Sequence, residues 1–232
     1  MARTKMAQRK TAQKLTVTLA GAAVFAAISA ILTLAKAAVP FPLIPYLQVD
    51  FSEIPILMAF FLFGPVAGSI TSVIQWVFLN ETGSDAPLGP AIKFAAVIST
   101  LGGLWLGGLF YRRIRGSSNH PSLAVSLILS SGIIFRVVAM TVVNYAVLVY
   151  IAPVFFGQNY LAFAKATLER SMGWSLPTDE MVLTYTLIFT ALYNVVNLLV
   201  AAIPAGLIVS PIATSFKHIT SGDTWLAKNT HS

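Results

Sequence analysis

The chain has 232 residues, 56% of them hydrophobic and only 10% charged. A water-soluble domain of this size carries roughly 25% charged residues, so the composition excludes a soluble globular protein and predicts an integral membrane one. There is no cysteine, which excludes disulfides and thiolate chemistry, and the net charge of +7 sits mostly beside apolar segments. That placement is a topology signal, not a nucleic-acid footprint.

The start, Met1 to Lys14, carries Arg3, Lys5, Arg9, Lys10 and Lys14 without an acid, and an apolar run of about 21 residues follows. That run exceeds the roughly 7–15 residues of a signal-peptide core and suits a hydrocarbon layer ~30 Å thick. It is read as helix 1, over about 15–36, with a secretory signal as the alternative. Pro40, Pro42 and Pro45 then remove amide donors and disfavour helix. Val39 to Val49 is therefore expected to be an irregular, partly apolar loop that folds over or into the bundle. Gly64-Pro65 divides the next apolar stretch into helix 2 (about 52–63) and helix 3 (about 65–79), each short for a full crossing. A single kinked helix is the alternative.

Asn80 to Pro90 is a polar loop, and helix 4 (about 91–111) ends at Arg112-Arg113-Ile114-Arg115 and a Gly-Ser-Ser-Asn turn. Helix 5 covers about 122–150, a short surface helix is expected within 162–172, and helix 6 covers about 181–210. The expectation is an all-α bundle of six transmembrane helices: a basic segment 1–14, a membrane domain 15–213 and a tail 214–232. With the N-terminus inside, the inner segments hold ten of the fifteen Lys/Arg, and the outer loops with adjoining helix ends hold seven of the eight acids. The Lys/Arg bias then places both ends in the cytoplasm. A five-helix count would put Arg112, Arg113 and Arg115 outside.

No phosphate-binding GxxxxGK[ST] loop or HExxH spacing occurs, and His120, His218 and His231 all fall in loops or the tail. Neither catalytic nor metal-ligating residues are expected; the chain binds, conducts or carries something. The informative polar residues lie inside helices. Asn144 lies on helix 5, Asn194 and Asn197 lie three apart on helix 6, and Lys93 opens helix 4. Intramembrane polar groups need partners, and ionisable ones mark function by default. These four, all toward the outer half, predict a shared polar pocket, although each Asn could instead hold helices together. Arg136, nearer mid-membrane, reads as a structural anchor. Ala22, Ala26 and Ala30 on helix 1 have the four-residue spacing that lets another helix approach closely; internal packing is the alternative.

The stretch Tyr46-Leu47-Gln48-Val49-Asp50-Phe51-Ser52-Glu53-Ile54-Pro55, with Phe63-Gly64-Pro65-Val66-Ala67-Gly68, resembles the "YLKLDFSDIP…FGPxAG" signature of the substrate-binding (S) components of energy-coupling factor (ECF) vitamin transporters. Within that family it looks most like the riboflavin-specific type. Arg136 to Tyr145 resembles that type's helix 5, and Tyr193-Asn194-Val195-Val196-Asn197 its helix 6 "FNxxK". The resemblance implies capture of riboflavin or a related vitamin from outside the cell membrane, with no other cofactor. It also implies docking on a transmembrane coupling protein driven by two cytoplasmic ATPases. The implied ligand positions are Tyr46, Leu47, Gln48, Asn144 and Asn194, with Lys93 and Asn197 beside them. Ala22, Ala26 and Ala30 match the family's contact surface for the coupling protein. Two residues depart from the pattern: Asn197 stands where the helix 6 lysine is expected, and Lys93 where helix 4 usually has an asparagine. The pair could preserve the pocket's charge or mark a different ligand. An S component for another vitamin or precursor, a standalone secondary carrier and a membrane scaffold are the competing readings.

Overall fold

The computed structural model describes residues 2–82, 86–114, 120–156, 160–215 and 224–230. Asp85, Arg115, the expected turn at 116–119, His218, His231 and much of the expected tail lie outside the described residues. Four apolar helical stretches are long enough to cross a membrane: Thr11–Leu34, Leu88–Ile114, Pro121–Val154 and Asp179–Ala213. They correspond to the expected helices 1, 4, 5 and 6.

The expected break at Gly64-Pro65 is present. Helix α2 (Glu53–Phe63) ends where Gly64 takes φ 96°, a left-handed conformation that a side chain disfavours, and α3 (Pro65–Thr82) begins at the proline. At about 1.5 Å per residue α2 is only ~16 Å long, so it cannot span the hydrocarbon layer. It lies inside the protein, with Ile56, Leu57, Phe60 and Phe61 all buried. A helix that is apolar on every face belongs in such a position. Leu101, Leu104, Ile128, Leu198, Ala201 and Ala205 complete the core around it.

Helix α1 (Ala2–Leu34) extends its apolar span back through the basic start. Its inward face is small: Ala22, Ala26 and Ala30 are buried, and Ala22 packs with Ala59 of α2 and Ala67 of α3. Ser29 Oγ donates to the Ser52 carbonyl at 2.8 Å, and Thr71 Oγ1 donates to the Ala22 carbonyl at 3.2 Å. The four-residue spacing does admit a close helix, but that helix is the chain's own. Ala22, Ala26 and Ala30 are thus corrected from a coupling-protein surface to internal packing. The exposed small residues beside them are Ala23 and Ala27.

The segment expected to be irregular is a β-hairpin, so the all-α expectation is corrected by one small sheet. Strand β1 (Ala38–Phe41) pairs antiparallel with β2 (Ile44–Asp50), with Ala38 opposite Asp50 and Pro40 opposite Gln48. In a two-stranded sheet each strand is an edge, where a missing proline donor is tolerated.

Helices α4 (Leu88–Ile114) and α5 (Pro121–Ala146) pack most intimately, because glycines line their contact. A Cβ on Gly103 would meet the Ser131 carbonyl oxygen at 2.7 Å and Gly132 Cα at 2.9 Å. Both are backbone atoms that cannot rotate away. Gly103→Ala is therefore expected to destabilise the protein by about 1–3 kcal/mol, read as a lowered thermal midpoint in detergent. An unchanged midpoint would show that this contact is looser than the structure has it.

Beyond α5 the helix passes through a π turn (Val147–Ile151) into α6 (Ala152–Phe156), and the expected surface helix appears as α7 (Tyr160–Met172). Helix α8 (Asp179–Ser215) runs through Pro204 and Pro211 instead of ending before the second. Neighbouring helices can compensate for the missing bonds in a membrane span. A short helix, α9 (Trp225–Thr230), closes the end opposite the hairpin, with the Trp225 ring 4.4 Å from that of Phe60.

Candidate functional site

Residues 50 to 53 concentrate polarity where lipid-facing chains avoid it. Asp50 ends β2, Ser52 precedes α2, and Glu53 opens α2 while only 3% exposed. A carboxylate so deep needs a cation and further hydrogen bonds. Arg136, from mid-α5 and 1% exposed, supplies both guanidinium arms: Nη1 donates to Glu53 Oε2 at 2.7 Å and Nη2 to Oε1 at 3.1 Å. This planar two-point pairing is one that lysine could not make. Arg136 Nε donates to Asn194 Oδ1 at 3.0 Å, Nη1 also reaches Thr100 Oγ1 at 3.2 Å, and Asn197 Nδ2 donates to Glu53 Oε1 at 2.8 Å. The pair is therefore held by two other helices, α4 and α8.

A second pair sits nearer the hairpin. Lys93 Nζ from α4 contacts Asp50 Oδ2 and donates to Ser52 Oγ at 3.1 Å, and the Ser52 amide donates to Asp50 Oδ1 at 2.7 Å. The Asp50 amide donates to Asn197 Oδ1 at 3.0 Å, so Asn197 links the two pairs. Two cations balance two carboxylates. The cluster is neutral, and a charge added to it would have no partner in place.

Above this cluster lies a cavity of about 400 Å³. The hairpin forms one wall through Tyr46, Leu47 and Gln48; Ile92, Lys93 and Ala96 come from α4, Met140 and Asn144 from α5, and Thr186, Thr190, Tyr193 and Asn194 from α8. The last four recur at helical spacing on one face of α8. Leu148, in the π turn just after Asn144, adds an apolar contact. Such irregular turns are frequent at functional sites. The hairpin is fastened over the cavity: Tyr193 Oη donates to the Gln48 carbonyl at 2.7 Å, and Phe41 and Ile44 pack with Leu168 of α7 and Val182 of α8. A cavity of this size, with apolar walls and convergent polar groups, suits a small organic ligand.

Of the residues singled out from the sequence, Tyr46, Leu47, Gln48, Lys93, Asn144 and Asn194 line this cavity. Asn197 does not; fully buried, it braces the floor beneath. Arg136 anchors helices as expected and also lines the cavity. Sequence reasoning does not name Thr186, Thr190 and Tyr193 as site residues, and for Asp50 and Glu53 it requires only that charged groups in such a stretch sit at an interface or line a cavity. The signal for the carboxylates was available, because two acids and two cations within apolar surroundings must find one another. The α8 residues follow from the Asn194 face.

Residues 17–214 match the family described as the ECF transporter, substrate-specific component. The chain belongs to this family. It is 34% identical over 122 residues to the riboflavin transporter RibU of Staphylococcus aureus (strain TCH60), covering 53% of this chain and 60% of that protein. It is 32% identical over 114 residues to the riboflavin transporter FmnP of Bacillus subtilis (strain 168), covering 47% of this chain and 55% of that protein. With RibU of Streptococcus thermophilus (strain ATCC BAA-250 / LMG 18311) the identity is 28% over 168 residues, 70% of this chain and 72% of that one. The stretches matched in the first two thus span little more than half of those relatives' lengths. A solved S component of a bacterial ECF transporter shares the fold with a TM-score of 0.57, over 88% of this chain and 99% of that one at 22% identity. Its family and its four long apolar helices together mark a membrane protein.

Proposed function

We propose that this S component captures riboflavin in the 400 Å³ cavity beneath the hairpin and delivers it across the cell membrane. The observation that carries the reading is the cavity's make-up, taken with relatives named as riboflavin transporters. Apolar walls suit a flat heterocycle, and asparagine amides, which donate and accept together, suit the mixed edge of an isoalloxazine ring or the ribityl hydroxyls. In this reading α2, although shorter than the hydrocarbon layer and enclosed by protein, carries the chain back toward the inner side, so that α2 and α3 count as two of six membrane helices. Both termini face the cytoplasm, and the cavity opens toward the outside.

Delivery requires partners: a transmembrane coupling protein and two cytoplasmic ATPases. The side chains between the ion-pair cluster and α9 support that dependence. Leu57, Phe60, Leu104, Ile128 and Ala205 form a dry core there, with no polar route for a standalone carrier among the described residues. Uptake into proteoliposomes is expected only when the coupling protein and ATPases are co-reconstituted; uptake by this chain alone would contradict it.

Asn144 offers the most direct test of the pocket. Its Nδ2 donates to the Met140 carbonyl at 2.6 Å, which fixes the amide and leaves Oδ1 for the cavity. Losing one good hydrogen bond to a ligand costs ~1 kcal/mol or more. Asn144→Ala is thus expected to weaken riboflavin binding about fivefold or more, measured by quenching of flavin fluorescence. A dissociation constant within about twofold of the unaltered protein would remove Asn144 from the site. The Lys93 and Asn197 departures favour one second reading, a different vitamin in the same cavity, which riboflavin titration also decides.

A further inference from the structure

A groove of about 800 Å³ lies between α4 and α5, away from the hairpin cavity. Its walls are Leu106, Leu109 and Phe110 from α4 with Leu127, Ile134 and Phe135 from α5. Phe110 is 57% and Ile134 59% exposed, so this surface needs an apolar cover. Gly107 lines the groove as well, where α5 approaches α4 closely: a Cβ on it would meet Ile128 Cα at 2.9 Å.

Two features distinguish the groove from an ordinary lipid-facing surface. Arg112 and Arg113 line one end of it, in the last turn of α4. Both are exposed, and neither has a hydrogen bond or ion pair to a described side chain. The hydroxyl residues Ser130 and Ser131 line the same groove. A Cβ on Gly107 would lie 2.9 Å from Ser131 Cβ, which sets the serines level with Gly107. That is five residues before Arg112, or about 7 Å deeper along the helix. From the end inward, the groove thus presents two guanidiniums and, about 7 Å deeper, the hydroxyls, between aliphatic and aromatic walls that run along its length. A phospholipid presents a phosphate, then ester carbonyls, then acyl chains.

We propose that this α4–α5 groove is a binding site for a phospholipid with an anionic headgroup. The guanidinium fork matches phosphate oxygens in two-point contacts. Basic pockets between membrane helices recognise anionic headgroups, and each nearby Lys or Arg is worth about fivefold in affinity. The serine hydroxyls donate to the ester carbonyls, and the apolar walls hold an acyl chain. The site is independent of which vitamin the cavity takes.

The full chain in detergent, offered equimolar phosphatidylglycerol and phosphatidylcholine with identical acyl chains, tests this by native mass spectrometry. One retained lipid is expected, with phosphatidylglycerol preferred about tenfold or more. Arg112→Gln with Arg113→Gln should reduce the preference to less than twofold. Ser130→Trp, which fills the groove and leaves both arginines in place, should abolish retention of either lipid. Lys14→Gln with Lys36→Gln removes equal charge from exposed positions outside the groove and should leave the preference intact. The proposal is overturned if the unaltered chain shows no preference, if the arginine variant keeps it, or if the lysine variant loses it equally. Lipid retained undiminished by Ser130→Trp would likewise exclude the groove as the site.

Discussion

Arg136→Met is expected to destabilise this protein by about 3–5 kcal/mol, the range for breaking a buried ion pair from one side. Glu53 is 3% exposed, and both its oxygens take hydrogen bonds from the guanidinium. Without the arginine, the carboxylate keeps only the Asn197 amide among these partners. Thr100 and Asn194 also lose a donor. The companion variant Glu53→Gln with Arg136→Met removes both charges, and it should recover most of the lost stability, because a neutral site needs no counter-ion. Thermal unfolding in detergent separates the two. A single variant within about 1 kcal/mol of the unaltered protein would show that the pair contributes little, and equal losses in both would assign the cost to packing.

Asn197→Lys should weaken riboflavin binding about tenfold or more, and adding Lys93→Asn should restore it to within about threefold. The cluster holds Asp50 and Glu53 against Lys93 and Arg136. A lysine at 197 adds an unmatched cation in a fully buried position and removes the acceptor for the Asp50 amide. That amide belongs to the hairpin strand whose residues wall the cavity. Removing Lys93 at the same time returns the cluster to neutrality with the new ammonium close to Asp50 and Glu53. Neighbours within one network commonly couple by 0.5–3 kcal/mol, so tenfold against threefold lies within reach of a double-mutant cycle. Additive losses would mean that the two departures from the family pattern are unrelated.

The elements that sequence exposed were those with local causes. Gly64-Pro65 divides α2 from α3 because a left-handed residue followed by proline cannot continue a helix. The cavity asparagines stood out as polar groups inside apolar runs, and they do converge. Contacts between distant segments were less legible. Glu53 and Arg136 lie 83 residues apart, and only the need to pair intramembrane charges joins them. The alanine periodicity of α1 defines a face but not its cover; the resemblance assigns Ala22, Ala26 and Ala30 to the coupling protein, whereas the structure buries them internally. Three prolines suggested an irregular loop, whereas a two-stranded hairpin accepts proline because both strands are edges.

The central claim, a riboflavin cavity beneath the hairpin, is tested most directly on protein purified in detergent after growth with riboflavin. The visible absorption spectrum and the mass of any ligand released on unfolding are the two readouts. The account predicts a yellow protein with near-stoichiometric flavin, released only when the fold is lost. A colourless protein that also fails to quench the fluorescence of added riboflavin would contradict it.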